Sequence, residues 1–302
     1  MLEIAIMIEG QNGLTWPRWQ NIAAAVEDLG FAGLYRSDHF TNADAPDMDS
    51  LECWASLTWL ASHTRRIEFG PLVSPVSFRS PALTARIAAA VDDLSSGRLT
   101  LGLGAGWQDR EHHLFGYDLL DMQSRFERFN EGLEVITRLL KSDQPVSLEG
   151  SYFQLRAASL LPRPQRPGKP PLLIGGNGEK RTLPLAARYA DEWNAVFQTP
   201  AGFAHLSARL DDWLSNEGRK PEAMRRSMMT GIRFALTRSG LESKLHGHSM
   251  EELRRDGMIV GVGQEILPQL AELETVGVQR VMLQWMDLED LEGLEALGKA
   301  VG

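Results

Sequence analysis

The sequence predicts an α/β chain folded as a single (β/α)8 barrel over residues 1–302, and three observations predict it. Short apolar runs alternate eight times with segments whose apolar residues recur at helical spacing. One repeat, residues 67–107, reads as strand, helix and strand, the parallel βαβ unit from which such barrels are built. The turns after several strands are rich in glycine, as expected where backbone must come close to something.

Taken in order, residues 3–8 form the first strand and residues 16–29 the first helix, with Ile22, Val26 and Leu29 on one face and Gly30 as its stop. Residues 33–36 are the second strand, and residues 48–63, capped by Asp47 or Asp49, the second helix. The third strand, 67–73, passes through a Gly/Pro-broken turn into a helix over 80–94, where Ser80 and Pro81 fit the cap and first turn. The fourth strand is 99–103. A short helical piece at 108–115 precedes a long helix at 126–140. Residues 146–155 alternate around Glu149-Gly150 and read as a hairpin, and residues 161–171 hold five prolines and read as an extended surface connection. Together 142–171 is an insertion after the fourth helix. Strands at 172–174, 192–196, 228–236 and 278–284, with helices at 179–189, 202–214, 264–276 and 287–301, complete the count. Residues 237–263 carry no core pattern beyond a helical piece at 251–255; a lid and an ordinary surface loop both stay open for them.

Composition narrows the function classes. With 43% hydrophobic residues there is ample core, yet no apolar run approaches the roughly 18 residues a membrane span requires. The start, MLEIAIMIEG, lacks a basic region, so a cytoplasmic protein is expected. The one cysteine, Cys53, lies in an apolar helical pattern; it excludes an internal disulfide and reads as a buried structural thiol. A net charge of -9 spread along the chain argues against nucleic acid. A small-molecule substrate is the expected partner.

Barrel chemistry gathers where the strands end. Topology alone therefore selects Glu9, Asp38, His39, Leu72, Val73, Ser74, Gly104, Gly106, Trp107, Gly175, Gly176, Asn177, Gly178, Asn194, Phe197 and Gln284. Gly175-Gly176-Asn177-Gly178, followed by Glu179, Lys180, Arg181 and Thr182, reads as a phosphate turn. Glycines let N–H groups face an anion, and two cations in a first helical turn oppose the dipole unless an anion compensates. The other reading is a turn in which glycine merely permits positive φ. Gly102-x-Gly104-x-Gly106 is not a dinucleotide fingerprint, because Trp107 stands where the last glycine would fall; flat packing of a planar ring on bare backbone and a plain strand-end turn both stay open. His39 beside Asp38 is the acid/base candidate, since imidazole titrates near neutrality. No metal site is expected: His63, His112 and His113 lack ligand spacing, and no G-x-S-x-G elbow occurs.

The pieces IEFGPLVSPVSFRSP, LSSGRLTLGLGAGW, RSDHF and GGNGEKRT, with MIEGQNGLTW, RTLPLAARYADEWN and RVMLQW, form an ordered set. Taken in chain order they resemble the bacterial luciferase-like family, and more closely its branch of oxidoreductases dependent on coenzyme F420, an 8-hydroxy-5-deazaflavin. The resemblance implies a luciferase-like (β/α)8 TIM barrel that binds F420, or alternatively FMN, at the strand ends, and often a homo-oligomer. It further implies a non-proline cis peptide at Leu72-Val73, pressed against the cofactor ring, with Ser74 hydrogen-bonding the cofactor. Gly176, Asn177 and Gly178 would hold its phosphate, with Lys180 or Arg181 nearby, and Asp38 and His39 would lie by its reactive edge. Several deazaflavin enzymes have a glutamate where this chain has Trp107 and a tryptophan where it has Ala43, so their acid/base scheme and substrates do not carry over. With F420 the implied activity is hydride transfer to or from a small organic substrate; with reduced FMN it is oxygen-activating monooxygenation, and a non-catalytic flavin-binding relative is the third reading. For Arg163, Arg166 and Lys169 in the proline-rich stretch, a contact with the oligoglutamate tail of F420 and a solvated basic loop both stay open.

Overall fold

The computed structural model describes residues 1–302. Eight parallel strands form the barrel wall: β1 (Glu3–Ile8), β2 (Gly33–Arg36), β3 (Glu68–Pro71), β4 (Leu101–Gly104), β5 (Leu172–Gly175), β6 (Glu192–Val196), β7 (Arg225–Ala235) and β8 (Arg280–Gln284). They run in the order β3-β2-β1-β8-β7-β6-β5-β4. The two ends meet where Phe69 of β3 accepts from Thr100 N–H at 2.8 Å and donates to the Arg98 carbonyl at 3.1 Å. Closure leaves the main ring no open edge, which is what the eightfold alternation in the sequence requires.

Each barrel strand is followed by one outer helix: Trp16–Asp28, Cys53–His63, Pro81–Leu94, Met122–Lys141, Thr182–Tyr189, Pro200–Asn216, Leu267–Thr275 and Leu291–Val301. The outward strand residues, such as Ile6, Ile8, Leu34 and Trp193, join the apolar helix faces in one core. The inward ones, Ala5, Met7, Tyr35, Leu173 and Met282, fill the barrel with Leu72. Strand alternation separates the two sets. At the barrel floor the Arg280 guanidinium is buried and donates to Glu3 (2.8 Å), Tyr35 (2.6 Å) and Glu68 (2.6 Å), with Glu192 at 3.8 Å. Burial pushes the Glu192 carboxyl above its ordinary value, with Arg280 opposing.

Several boundaries differ from the sequence reading. The second helix begins at Cys53, and Glu52 caps it by accepting the Ala55 N–H at 2.6 Å. Residues 49–51 are tied to residues 13 and 14 by backbone hydrogen bonds, so neither Asp47 nor Asp49 caps a helix; Asp47 pairs with Arg110 instead. The long fourth helix starts at Met122 under an Asp121 cap. The helix after β5 starts at Thr182, three residues later than its pattern indicates. The insertion contains the hairpin Val146–Glu149 and Gln154–Ala158, whose turn donates the Ser151, Tyr152 and Phe153 N–H groups to the Glu131 carboxylate. Residues 237–263 are folded: helices Arg238–Lys244 and Met250–Arg255 lead to a strand, Ile259–Val262, paired with the end of β7, and Leu241, Leu253 and Val260 are buried with Ala235. The proline-rich stretch runs away from the strand ends. Arg163 donates to the Leu139 and Leu140 carbonyls, Arg166 pairs with Asp92, and Lys169 pairs with Asp191 just before β6. These cations are thus engaged by the helix layer and the floor. No helix is long and apolar enough to cross a membrane.

Two outcomes follow. A Cβ on Gly102 would stand 2.1 Å from the Pro71 carbonyl oxygen, a backbone atom that cannot step aside; Gly102→Ala is expected to lower stability in denaturant by about 1–3 kcal/mol. Glu27 accepts the N–H groups of Arg65, Arg66 and Ile67 at 2.9, 2.8 and 3.1 Å. Burial alone would raise its pKa, but those donors and Arg66 outweigh it and hold the carboxyl below its ordinary value. Its contribution is therefore full above the unfolded pKa of about 4.3 and is lost as pH falls through the lower folded value. Thermal unfolding of wild type and Glu27→Gln should differ at pH 7 and converge toward pH 3.

Candidate active site

A cavity of about 500 Å³ opens at the carboxyl ends of the strands. One wall is the chain after β3. The Leu72-Val73 peptide is cis, Leu72 N–H donates to the Arg36 carbonyl at 2.7 Å, and both residues line the cavity. The Val73 side chain occupies space that glycines leave open. A Cβ on Gly104 would lie 2.6 Å from Val73 Cγ2, and one on Gly102 or Gly175 would lie 3.2 or 3.3 Å from Val73 Cγ1. Gly104 is therefore bare to admit Val73, Gly102 chiefly to clear the Pro71 carbonyl, and neither is among the residues that line the cavity. Of that glycine series only Gly106, at φ 86°, reaches the cavity, followed by Trp107, 61% exposed at its rim.

His39 lines the cavity after β2, and Nδ1 lies 2.8 Å from Glu111 Oε1. The other Glu111 oxygen accepts the Phe40 N–H at 3.0 Å, so both carboxylate oxygens are committed, while His39 Nε2 meets no hydrogen-bonding partner in the chain. Trp107 meets the imidazole edge to face at 5.6 Å between centroids. Burial works against the imidazolium, but the hydrogen bond and charge of Glu111, with Glu9 and Asp38 adding, outweigh it and hold His39 above its ordinary value. Asp38 does not join this pair. It is buried, and its oxygens accept from Arg79 at 2.5 and 3.1 Å and from Ser74 Oγ at 2.5 Å. Trp54 Nε1 donates to Ser74 Oγ at 3.3 Å. Asp38 and Ser74 are thus joined to each other and to Arg79, and neither is among the residues that line the cavity.

The glycine turn after β5 brings Gly175 and Gly176 to the cavity, with Gly176 at φ 125°. Asn177 fixes the turn to β6: its amide donates to the Val196 carbonyl at 2.7 Å and accepts the Val196 N–H at 2.9 Å. The N–H groups of Arg181, Thr182 and Leu183 all point to the Gly178 carbonyl, so the first donors of the helix are occupied. Those of Asn177, Gly178, Glu179 and Lys180 meet no acceptor in the chain. The free donors thus belong to the turn, and Lys180 and Arg181 precede the first helical turn. Lys180 is exposed, and the Arg181 guanidinium lies 5.9 Å from the Phe126 ring centroid.

Sequence reasoning missed Glu111, Arg79 and Trp54. A signal for Glu111 exists: the short helix Asp109–Phe115 buries Glu111 and His112 with its cap Gln108, polar residues at spacing where a core face is apolar. Glu9 and Gln284, selected on topology, do line the cavity, as do Asn194 and Phe197.

A family profile described as luciferase-like monooxygenase matches residues 4–251. The chain belongs to that family. It is 32% identical to the 5,10-methylenetetrahydromethanopterin reductase of Archaeoglobus fulgidus over 197 residues, covering 65% of this chain and 54% of that one. It is also 32% identical to the F420-dependent glucose-6-phosphate dehydrogenase of Amycolatopsis mediterranei over 177 residues, 56% and 48% of the two chains. A 4-hydroxyprotoasukamycin monooxygenase of Streptomyces nodosus subsp. asukaensis is 32% identical over 177 residues, 59% and 46%. The chain thus spans about half the length of the curated relatives it matches. An F420-dependent secondary alcohol dehydrogenase, solved with an F420-acetone adduct, superposes with a TM-score of 0.87 at 19% identity over 99% of this chain and 98% of that one. At that identity the likeness shows the fold.

Because Glu111 holds His39 above its ordinary value, Glu111→Gln should lower the His39 pKa in an NMR titration of the histidine Cε1 protons. A raised folded pKa contributes stability below the unfolded value of about 6.5 and loses it as pH rises through the folded one. The stability gap between wild type and Glu111→Gln should therefore be wider at pH 6 than at pH 9.

Proposed function

We propose that the chain is an oxidoreductase that transfers hydride between coenzyme F420 and a small organic substrate. The observation that carries this reading is the joining, in one cavity, of a glycine turn with four unengaged N–H groups beside it and an imidazole whose Nε2 is free. The relatives whose names specify F420, such as the glucose-6-phosphate dehydrogenase of Amycolatopsis mediterranei, support the choice of cofactor.

The chain offers what such a cofactor needs. The turn N–H groups from Asn177 to Lys180 suit a phosphate, and the apolar wall of Leu72, Val73 and Pro75 suits a flat ring. Bound deazaflavin supplies the hydride donor or acceptor. His39 Nε2 gives or takes the proton at the substrate oxygen, with Glu111 fixing the ring and Trp107 covering its edge. Asp38, Ser74, Arg79 and Trp54 hold the neighbouring wall in place. A homo-oligomer in a reducing cytoplasm belongs to the same proposal; the single buried cysteine supports the compartment, and light scattering of the purified protein tests the assembly.

The deciding experiment titrates the protein with F420 and with FMN, each oxidised and reduced, by cofactor fluorescence. The expected result is preferential F420 binding, weakened about tenfold or more by Gly176→Asp, which sets a carboxylate in the turn. Tighter binding of reduced FMN would favour the monooxygenase reading, and binding of neither would overturn the cofactor assignment. With F420 bound, His39→Ala should lower turnover by about 10²–10⁴; an unchanged rate would remove His39 from the chemistry.

A further inference from the structure

Across the cavity from the glycine turn lies a feature that bears on substrate. In the closed ring of eight, β1 is four places from β5 in either direction, so the residue after β1 stands opposite the turn after β5. That residue is Glu9, and it lines the cavity. Neither of its oxygens meets a cation: Oε2 accepts from Gln11 Nε2 at 2.9 Å and Oε1 from Gln284 Nε2 at 2.7 Å.

The clamp is fixed from behind. Gly10 N–H donates to Ser37 Oγ at 2.8 Å, and Ser37 Oγ donates to Gln11 Oε1 at 2.7 Å. With its oxygen engaged, the Gln11 side chain has its nitrogen left for Glu9. Gln11 and Ser37 are buried, and Gln284 ends β8 in register with Met7 of β1. Two donors leave a carboxylate room to accept from a ligand. No lysine or arginine lines the cavity; the other carboxylate there, Glu111, is engaged by His39, and the wall near β6 and β7 is neutral (Asn194, Val196, Phe197, Met229). The one group there that can carry positive charge, His39, is already paired with Glu111. An anionic group entering beside Glu9 would therefore lose water next to a negative charge with no cation left over for it, and both losses are larger in an enclosed site than in solvent.

Resting on the cavity's proposed role as the substrate site, we infer that Glu9 is a specificity-determining residue, which selects neutral or cationic substrates bearing a hydrogen-bond donor and rejects carboxylates and phosphates. Rejection through an uncompensated like charge is discrimination by repulsion, and it needs no close fit to the accepted molecule.

The test uses one shape with three charges: benzylamine, benzyl alcohol and benzoate, titrated calorimetrically at pH 7 into the full chain with and without F420. Binding of F420 itself is followed separately by its fluorescence. Benzylamine and benzyl alcohol are expected to bind at least about tenfold more tightly than benzoate, a gap that Glu9→Gln should narrow at least about threefold. Benzoate binding as tightly as the alcohol overturns the inference, as does failure of all three to bind, or an unchanged gap in a folded Glu9→Gln protein. The wild-type ranking alone can overturn it, so a misfolded variant does not protect it. F420 bound with the ranking reversed faults the selector alone; the ranking present without F420 binding faults the cofactor assignment and supports the selector.

Discussion

One buried guanidinium organises the barrel floor. Arg280 on β8 reaches Glu3 on β1, Tyr35 on β2 and Glu68 on β3, with Glu192 on β6 close by, and so ties together strands that are far apart in sequence. A charge so placed is tolerable only while its partners remain, because a buried ion left alone is far more costly than the pair is beneficial. The arrangement gives the barrel two unlike ends. The floor carries the charges grouped around Arg280, the middle is filled by Met7, Leu173 and Met282, and the cavity of about 500 Å³ opens at the opposite end.

At that hollow end the controlling constraint is steric. Val73 turns into the wall, where Gly104 must lack a side chain for it to do so and a Cβ on Gly102 or Gly175 would come as close to it as 3.2 or 3.3 Å. Glycines that look in sequence like a landing surface for a ligand are thus partly a socket for the protein's own side chain. The surface that faces the cavity is instead the outer side of Leu72, Val73 and Pro75, backed by the hydrogen bonds among Asp38, Arg79, Ser74 and Trp54.

The two sides of the cavity then differ in chemistry. Around β5 the backbone offers unengaged donors suited to an anion, while around β1 and β8 Glu9 offers an acceptor without a counter-charge. His39 stands between these surfaces, its outer nitrogen free and its inner one held by Glu111. An anionic cofactor on one side and a neutral or cationic partner on the other is an arrangement in which each occupant is kept from the other's place by charge as well as shape.

The sequence by itself determined what depends on neighbours along the chain. Apolar alternation located β1, β2 and β6 to the residue, and the strand count fixed the barrel and hence the end at which His39, Glu9 and the glycine turn must gather. Tertiary structure decided what depends on partners distant in sequence. His39 and Glu111 are 72 positions apart, Asp38 and Arg79 41, and no local pattern says which carboxylate meets which base. The same holds for the second helix, whose expected first turn is drawn into hydrogen bonds with residues 13 and 14, and for residues 237–263, whose two short helices and single strand are stabilised by docking on the end of β7. Periodicity records a repeated burial environment. The assignment of Asp38 to a supporting ion pair and of His39 to the cavity is made only when the closed ring brings separate loops to one rim, because hydrogen bonds and desolvation act over ångströms in space, whatever the distance along the chain.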